Sequence, residues 1–179
     1  MNGVVIRDAT ESDLGALCAL RYADSPSVHR DRIGDATTGD VRYLVVEVSD
    51  QVIGFGLLAL RSPPNWPKPS DEDFFPQAID LWIAPANRGH GYGTALLRRM
   101  EEIARKTGAR RLCLAVDPRG NERAMSLYLR SGYAPTTGEP YVDAWSFRDS
   151  DGTVHSGEDW ALDLAKDLTR PKKLPGRES

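Results

Sequence analysis

The sequence has few of the residues that build disulfide frameworks and metal centres. It contains two cysteines, Cys18 and Cys113, and three histidines. The cysteines are far apart and each lies in an apolar segment, so two buried thiols are expected rather than a disulfide. Unbridged thiols fit a reducing compartment. We therefore expect a cytoplasmic protein, and we expect no metal cofactor.

The chain also lacks an excess of basic charge and a long apolar run. Its formal net charge is −3 and its pI is about 5.6. Nucleic-acid binders usually present a strongly basic face, because phosphate contacts supply most of their affinity. A membrane-spanning helix needs about 20 apolar residues, and the longest apolar stretches are far shorter. We expect neither a nucleic-acid nor a membrane partner, and a homodimer stays open.

The order of predicted elements indicates an α/β (α+β) fold. Strands first follow one another and are later linked through helices, in the order β-α-(α)-β-β-β-α-β-α-β-β. This order predicts a mixed, mostly antiparallel central sheet of about six to seven strands with helices on both faces. At this length we expect a single domain over residues 1–168. The composition of residues 169–179 predicts a disordered tail.

Two helices and two strands in the second half of the chain have the clearest patterns. Apolar residues recur at helical spacing over Thr94–Thr107, and Gly108 follows as a natural helix end. Asn121 is a good N-cap for a second helix ending at Ser131. The strands are predicted at Ala78–Ile83 and Arg111–Val116. Earlier in the chain, Ser49-Asp50-Gln51 predicts a hairpin turn.

A proline-rich segment precedes the strand at Ala78–Ile83. Arg61–Gln77 contains five prolines, which fix φ and remove backbone donors, so this segment is predicted to be a loop. Its length makes it a candidate functional loop. The run Asp71-Glu72-Asp73, with Trp66, Phe74 and Phe75, can hold a cationic amine or simply be a solvated stretch of charge.

The residues Arg88-Gly89-His90-Gly91-Tyr92-Gly93-Thr94 follow a strand and open a helix. The first turn of a helix has backbone N–H groups without intrahelical partners, and with the helix dipole they bind anions. Glycine lets the backbone approach a diphosphate closely. A plain tight loop is the alternative. A dinucleotide fingerprint would need a third glycine where Thr94 stands, and no Gly-Lys-Ser/Thr follows for a Walker A motif.

The motif R-x-x-G-x-G, at Arg88, Gly91 and Gly93, resembles that of the GNAT superfamily of acyl-CoA-dependent N-acyltransferases. The strand Ile79–Pro85 is similar to the central strand of that family. The helix pattern N-x-x-A-x-x-L-Y-x-x-x-G-[FY] is also present, beginning at Asn121. Two motifs in the right order on the right elements make a strong resemblance, which is close over residues 78 to 133.

The resemblance implies that the strands at Ala78–Ile83 and Arg111–Val116 splay apart and receive the pantetheine arm of acetyl-CoA. Backbone groups near Leu81 and Ile83 would bind this arm, and an N–H near Ile83 would face the oxyanion. The remaining residues implied in cofactor binding are Arg88, Gly89, His90, Gly91, Tyr92, Gly93, Thr94 and Asn121.

The resemblance also suggests catalytic residues. Tyr128 matches the frequent general acid of the family, although a core aromatic is its alternative role. The glutamate that serves some members as base is replaced here by Ala115. Asp80, expected on the strand face opposite Ile79, Leu81 and Ile83, is therefore the preferred base, ahead of a water chain. Glu158 and Asp159 are weaker alternatives.

The implied function is an N-acetyltransferase that transfers the acetyl group of acetyl-CoA to a primary amine by direct attack within a ternary complex. The acceptor is a small molecule or a protein amine, which the sequence leaves open. The alternative function is an acyl-CoA-binding sensor or interaction module without turnover.

Overall fold

The computed structural model of the chain describes residues 3–21, 25–61, 75–136 and 138–169. Within these ranges the chain forms four α-helices and eight strands. The helices are α1 Leu14–Leu20, α2 Pro26–Asp35, α3 Tyr92–Lys106 and α4 Glu122–Arg130. The strands are β1 Val4–Asp8, β2 Val41–Val48, β3 Gln51–Ala59, β4 Gln77–Ile83, β5 Arg111–Val116, β6 Ala134–Pro135, β7 Tyr141–Arg148 and β8 Val154–Asp167.

The main sheet has the strand order β1-β2-β3-β4-β5-β8-β6, and β7 pairs with the first half of β8. All pairs are antiparallel except β4 with β5. This confirms the predicted mixed, mostly antiparallel α/β fold. The predicted hairpin turn is also confirmed: Ser49 and Asp50 both have positive φ, and Val48 pairs with Gln51.

Helices cover both faces of the sheet, as predicted. Leu96, Met100 and Ile103 of α3 pack with β-strand residues in one core cluster, to which Tyr128 of α4 also belongs. On the opposite face, Leu17 of α1 and Ile33 of α2 pack against the aromatic residues of β2 and β3. The 3.6-residue spacing of apolar residues in α3 thus buries one face of the helix.

A bulge in β4 departs from the expected alternation. Asp80 has a φ of 54°, and the register between β3 and β4 shifts beside it. Ala78 therefore joins Leu81 and Ile83 in the α3 cluster, while Ile79 does not. The expectation that Ile79, Leu81 and Ile83 share one face is wrong, because one extra residue in a strand reverses the side-chain alternation.

The helices begin and end close to the predicted residues. Helix α3 starts at Tyr92, two residues before the predicted Thr94, because Gly91 takes a left-handed φ of 84° and serves as the N-cap. Residues 170–179, most of the predicted tail, lie outside the described residues. None of the helices in the described ranges is both long and apolar enough to cross a membrane.

Candidate active site

The strands β4 and β5 separate soon after they begin. The ladder between them has a single registered pair, Gln77 with Cys113, and Cys113 N donates to the Pro76 carbonyl at 2.9 Å. Beyond this point β4 stays on β3 and β5 stays on β8. The predicted splay is therefore confirmed, and it leaves a gap between the ends of β4 and β5.

The N-terminus of α3 follows the end of β4. Gly89 and Gly91 have φ values of 87° and 84°, in the left-handed region that glycine adopts without strain. No side chain of the described residues caps this end of α3, and no acidic residue lies in its first turn. Its backbone donors and dipole thus meet the requirements of an anion site.

Arg88, one of the residues implied in cofactor binding, packs against the end of β4. Its Nε donates to the carbonyl of Ile83 at 2.8 Å, and its guanidinium carbon lies 4.8 Å from the centroid of the Trp82 ring. The side chain therefore connects the glycine-rich turn at Arg88–Thr94, which we call the phosphate-type turn, to the end of β4. His90, in the same turn, is exposed, with Nδ1 3.3 Å from the Asn87 carbonyl.

Asn121 caps α4, as its position predicted. Its Oδ1 accepts a hydrogen bond from Ala124 N at 3.2 Å. Leu127 of the same helix is close to α3, because a Cβ placed on Gly93 would lie 3.3 Å from Leu127 Cδ1. The middle of α4 therefore lies next to the first turn of α3.

Tyr128 of α4 is buried, with 7% of its surface exposed. Its ring centroid lies 6.1 Å from that of Tyr133. Burial, and to a smaller extent the negative charge of Asp80, raise the pKa of the Tyr128 phenol to about 12. The phenol is therefore fully protonated at neutral pH, which is the state that a general acid requires.

Asp80 lies between two arginines that the sequence did not reveal as site residues. Its carboxylate accepts from Arg21, at the end of α1, and pairs with Arg32 Nη1 of α2 at 2.8 Å. Burial acts to raise the pKa of this carboxyl, but the charge of Arg32 and the hydrogen bonds from Arg21 outweigh it. The pKa of Asp80 is held below its ordinary value.

The other acidic candidates lie on the β7–β8 hairpin. Glu158 is exposed, and Asp159 accepts a hydrogen bond from Trp145 Nε1 at 2.7 Å. Ala115, at the position of the absent glutamate, pairs in register with Asp163 of β8. The acidic segment Asp71–Asp73, with Trp66 and Phe74, lies outside the described residues.

The described residues contain no group of three or more His, Cys, Asp or Glu side chains arranged to hold a metal ion. Both cysteines are free thiols. Burial raises the pKa of the Cys113 thiol above its ordinary value. A raised pKa keeps the thiol protonated, so its position beside the β4–β5 gap does not make it a reactive nucleophile.

Comparison with known proteins identifies the class. The sequence profile of the acetyltransferase (GNAT) family matches residues 12–133. The chain belongs to this family, and it is an acyltransferase enzyme. A comparison with curated proteins gives no match.

Solved structures show the same fold at low sequence identity. An N-acetyltransferase from Staphylococcus aureus Mu50 is 18% identical, with a TM-score of 0.69 over 94% of this chain and 100% of that one. The ribosomal-protein-alanine N-acetyltransferase from Brucella melitensis is 21% identical, with a TM-score of 0.67 over 91% and 99%. The PaiA N-acetyltransferase from Thermoplasma acidophilum, in complex with coenzyme A, is 18% identical, with a TM-score of 0.65 over 92% and 98%.

Proposed function

We propose that this enzyme transfers the acetyl group of acetyl-CoA to a primary amine by direct attack within a ternary complex. The observation that carries the proposal is the gap between β4 and β5, which have one registered pair, beside an α3 N-terminus without a side-chain cap. Acetyl-CoA, when bound, supplies an activated acyl thioester. The coenzyme A in the PaiA structure from Thermoplasma acidophilum supports this donor.

The residues present fit such a donor. The gap offers backbone groups of Leu81 and Ile83 to an extended amide-containing arm, as an added strand would use them. The Ile83 carbonyl already accepts a hydrogen bond from Arg88. Arg88 therefore contributes by holding the end of β4 in position, and it does not need to contact the donor itself. The diphosphate would be held by backbone donors of the turn: Gly89, His90, Gly91, Tyr92, Gly93 and Thr94. Asn121 has its amide nitrogen left for the arm, because the helix cap uses only Oδ1.

Tyr128 is the proposed general acid for the leaving thiolate. Its raised pKa keeps the phenol protonated, so that it can donate a hydrogen bond, and then its proton, to the sulfur as negative charge develops there. The neighbouring charge of Asp80 contributes to this raised pKa. Burial thus does most to keep the phenol protonated, and the anion of Asp80 adds to this effect.

The base is proposed to be water rather than a carboxylate acting alone. Asp80 was the preferred base from the sequence, but a proton on its carboxylate would compete with the guanidinium groups of Arg21 and Arg32. The family's glutamate position is Ala115, which carries no base. We therefore propose that the amine loses its proton to water at the gap, with Asp80 in a positioning role.

A sensor that binds acyl-CoA without turnover is the alternative at the level of this individual chain. The described site retains a protonated Tyr128, which a sensor does not need. The N-acetyltransferases among the structural relatives also support turnover on an amine. The proposal includes a cytoplasmic location, since Cys18 and Cys113 are unbridged.

Two measurements test the proposal. Saturating acetyl-CoA is expected to raise the Tm, because a ligand that binds only the folded state stabilises it, whereas adenosine is expected to do much less. A thiol-release assay with a panel of amines and peptides then measures turnover. No Tm shift and no heat of binding with acetyl-CoA would contradict the proposal, and binding without thiol release from any amine would favour the sensor.

A further inference from the structure

The β7–β8 hairpin presents an unusual amount of aromatic surface. Strand β7 pairs with β8 alone, and each of its residues is exposed. Because side chains alternate along a strand, the odd-numbered residues of both strands share one face. We name this the aromatic–acidic face. Its acids are Asp143, Asp159 and Asp163, and its rings are Tyr141, Trp145, Phe147 and His155, which stacks on Phe147. Tyr141, Trp145 and Phe147 are 39%, 40% and 42% exposed, respectively.

The rings of this face are held in place although they are exposed. Trp145 Nε1 donates to Asp159 at 2.7 Å, and Tyr141 Oη donates to Asp163 at 3.0 Å. Trp145 also lies across Gly157, where a Cβ would be 2.7 Å from its ring carbon Cζ2. Apolar surface whose orientation is fixed in advance is suited to binding, because little conformational freedom remains to be lost.

The acids of this face have no lysine or arginine within ion-pair distance among the described residues, which holds for each of Asp143, Asp159 and Asp163. The odd-numbered positions of β7 and β8 carry neither residue type, and the histidine among them, His155, pairs with Asp149. Two copies of the chain joined through this face would bring six carboxylates together, which disfavours a self-dimer. A cation-rich occupant is favoured by both the charge and the rings.

The face leads from the hairpin tip towards the reaction centre. Asp163 is registered with Ala115 of β5, which borders the gap, whereas Leu162 and Leu164 point into the core on the α3 side. At the other end, the buried Asp149 accepts from Ser27 Oγ of α2 at 2.8 Å. The hairpin is therefore fixed at its tip to α2 and at its base to the wall of the gap.

We infer that the aromatic–acidic face binds a basic polypeptide segment, so that the acceptor is a protein or peptide amine. From Asp163 to His155, which pairs with Phe147, the face follows β8 for about 26 Å at about 3.3 Å per residue. A small amine covers only a fraction of this length, while an extended peptide of about eight residues covers it all. The inference rests on the proposed acetyl transfer and names the acceptor class for that reaction.

The test compares two peptides with the full-length protein. One is an octapeptide with a free α-amine followed by three lysines among glycines, and the other has glutamine in place of each lysine. The lysine ε-amines are dimethylated, which keeps their charge and leaves the α-amine as the only group to be acetylated. At low salt we expect a KM at least about fivefold lower for the basic peptide, and a smaller ratio in 0.5 M NaCl.

Variants locate the effect on this face. The pair Asp143→Asn/Asp159→Asn is expected to raise the KM of the basic peptide roughly three- to tenfold, with an unchanged KM for acetyl-CoA. The matched control Asp151→Asn/Glu158→Gln removes the same charge from the hairpin turn and the opposite face, and it is expected to change the KM by less than about twofold. Gly157→Val displaces the Trp145 ring, keeps every charge, and is expected to raise the same KM.

Three outcomes would overturn the inference. These are equal KM values for the two peptides, equal effects of the two double variants, or a small diamine with the same kcat/KM as the basic peptide. Calorimetry with the peptides alone separates this failure from that of the proposed function. Selective binding of the basic peptide without thiol release would support peptide binding by the aromatic–acidic face and contradict the proposed acetyl transfer. Acetyl transfer to small amines without peptide binding would support the proposed function and contradict peptide binding by this face.

Discussion

The carboxylate of Asp80 accepts hydrogen bonds from Arg21 at 2.5 Å and 3.0 Å, and Arg32 approaches its second oxygen at 2.8 Å. Three elements thus meet at one side chain, because Asp80 is in the bulge of β4, Arg21 ends α1 and Arg32 is in α2. We predict that Asp80→Asn destabilises the fold by roughly 2–4 kcal/mol, because it removes a partly buried carboxylate that contacts two guanidinium groups. Urea denaturation measures the loss.

The pH dependence of this loss has a defined sign. Because the folded state holds the pKa of Asp80 below its ordinary value, the carboxylate stabilises the fold above about pH 4. That stabilisation disappears as the pH falls through the folded pKa, so wild type and Asp80→Asn should converge in acid. Asp8→Asn is the control, since Asp8 pairs with Arg42 at the surface and its loss should cost below about 1 kcal/mol. Equal losses at both sites would contradict the prediction.

A second prediction concerns Gly91 at the N-cap of α3. Gly91→Val is expected to abolish acetyl-CoA binding, because valine strains a left-handed position and fills the proposed diphosphate site. The strain alone is expected to cost about 1–2 kcal/mol of stability, leaving the protein folded. Calorimetric titration with acetyl-CoA, after circular dichroism has established folding, makes the measurement.

Gly108 offers a matched control at the opposite end of the same helix. Its φ is 82°, and among the described residues other than its two chain neighbours no atom lies within 4 Å of a Cβ built there. Gly108→Val should therefore impose a similar backbone strain while acetyl-CoA affinity stays normal. Normal affinity in a folded Gly91→Val variant would show that the diphosphate lies elsewhere, and a loss in both variants would point to the strain itself.

The sequence predicts the parts of the site that depend on local chemistry. Helix α3 and its glycine turn follow from periodicity and from the conformational freedom of Gly91, and the Asn121 cap follows from residue type. The bulge at Asp80 does not, because its positive φ occurs at a residue that is not glycine. An ion-pair network between distant parts of the chain stabilises this backbone conformation of Asp80, and no local sequence pattern predicts such a network.

Long-range contacts explain the remaining differences. The whole β2–β3 hairpin and the proline-rich segment separate Arg21 and Arg32 from Asp80 in sequence, so only the fold brings the three together. In the same way, Asp149 is buried at a turn because it accepts from Ser27 and His155, which belong to other elements. In sequence, Asp149 resembles an ordinary solvated turn residue, and Asp80 is predicted as a base rather than as an ion-pair partner.

A third prediction tests Tyr128 as the general acid. Tyr128→Phe is expected to lower kcat by about 10²–10⁴-fold, because it deletes the phenol proton and keeps the packing of the ring. Acetyl-CoA affinity should be nearly unchanged. Since the pKa of Tyr128 is raised to about 12, wild-type kcat should not fall through ionisation of this residue below about pH 10.

Tyr133→Phe is the control for Tyr128, because it removes the same group from the ring that packs against it. We expect a kcat within a few-fold of wild type. Pre-steady-state measurement of acetyl transfer excludes a rate limited by product release. An unchanged single-turnover rate in Tyr128→Phe would return this tyrosine to a purely structural role in the core.

Glu101 is a buried acid remote from the proposed chemistry. It lies in the second half of α3, 3% exposed, and its two oxygens accept from Lys166 Nζ of β8 at 2.7 Å and 2.8 Å. Arg105, one helical turn further on, approaches Glu101 at 3.3 Å. This network fastens the second half of α3 to β8, at the end of the helix opposite the phosphate-type turn.

The fourth prediction follows from the cost of isolating one charge of this pair. Glu101→Gln is expected to destabilise the fold by roughly 2–4 kcal/mol, because Lys166 loses its anion where water reaches it poorly. The double variant Glu101→Leu/Lys166→Met replaces the pair by apolar side chains of similar size and should recover most of that loss, since apolar packing often equals a buried ion pair. Urea denaturation of the single and double variants forms the cycle, and acetyl-CoA affinity should stay normal in both. A Glu101→Gln variant within about 0.5 kcal/mol of wild type would show that the ion pair contributes little and that apolar packing, including that of Leu96, Met100 and Ile103, holds α3.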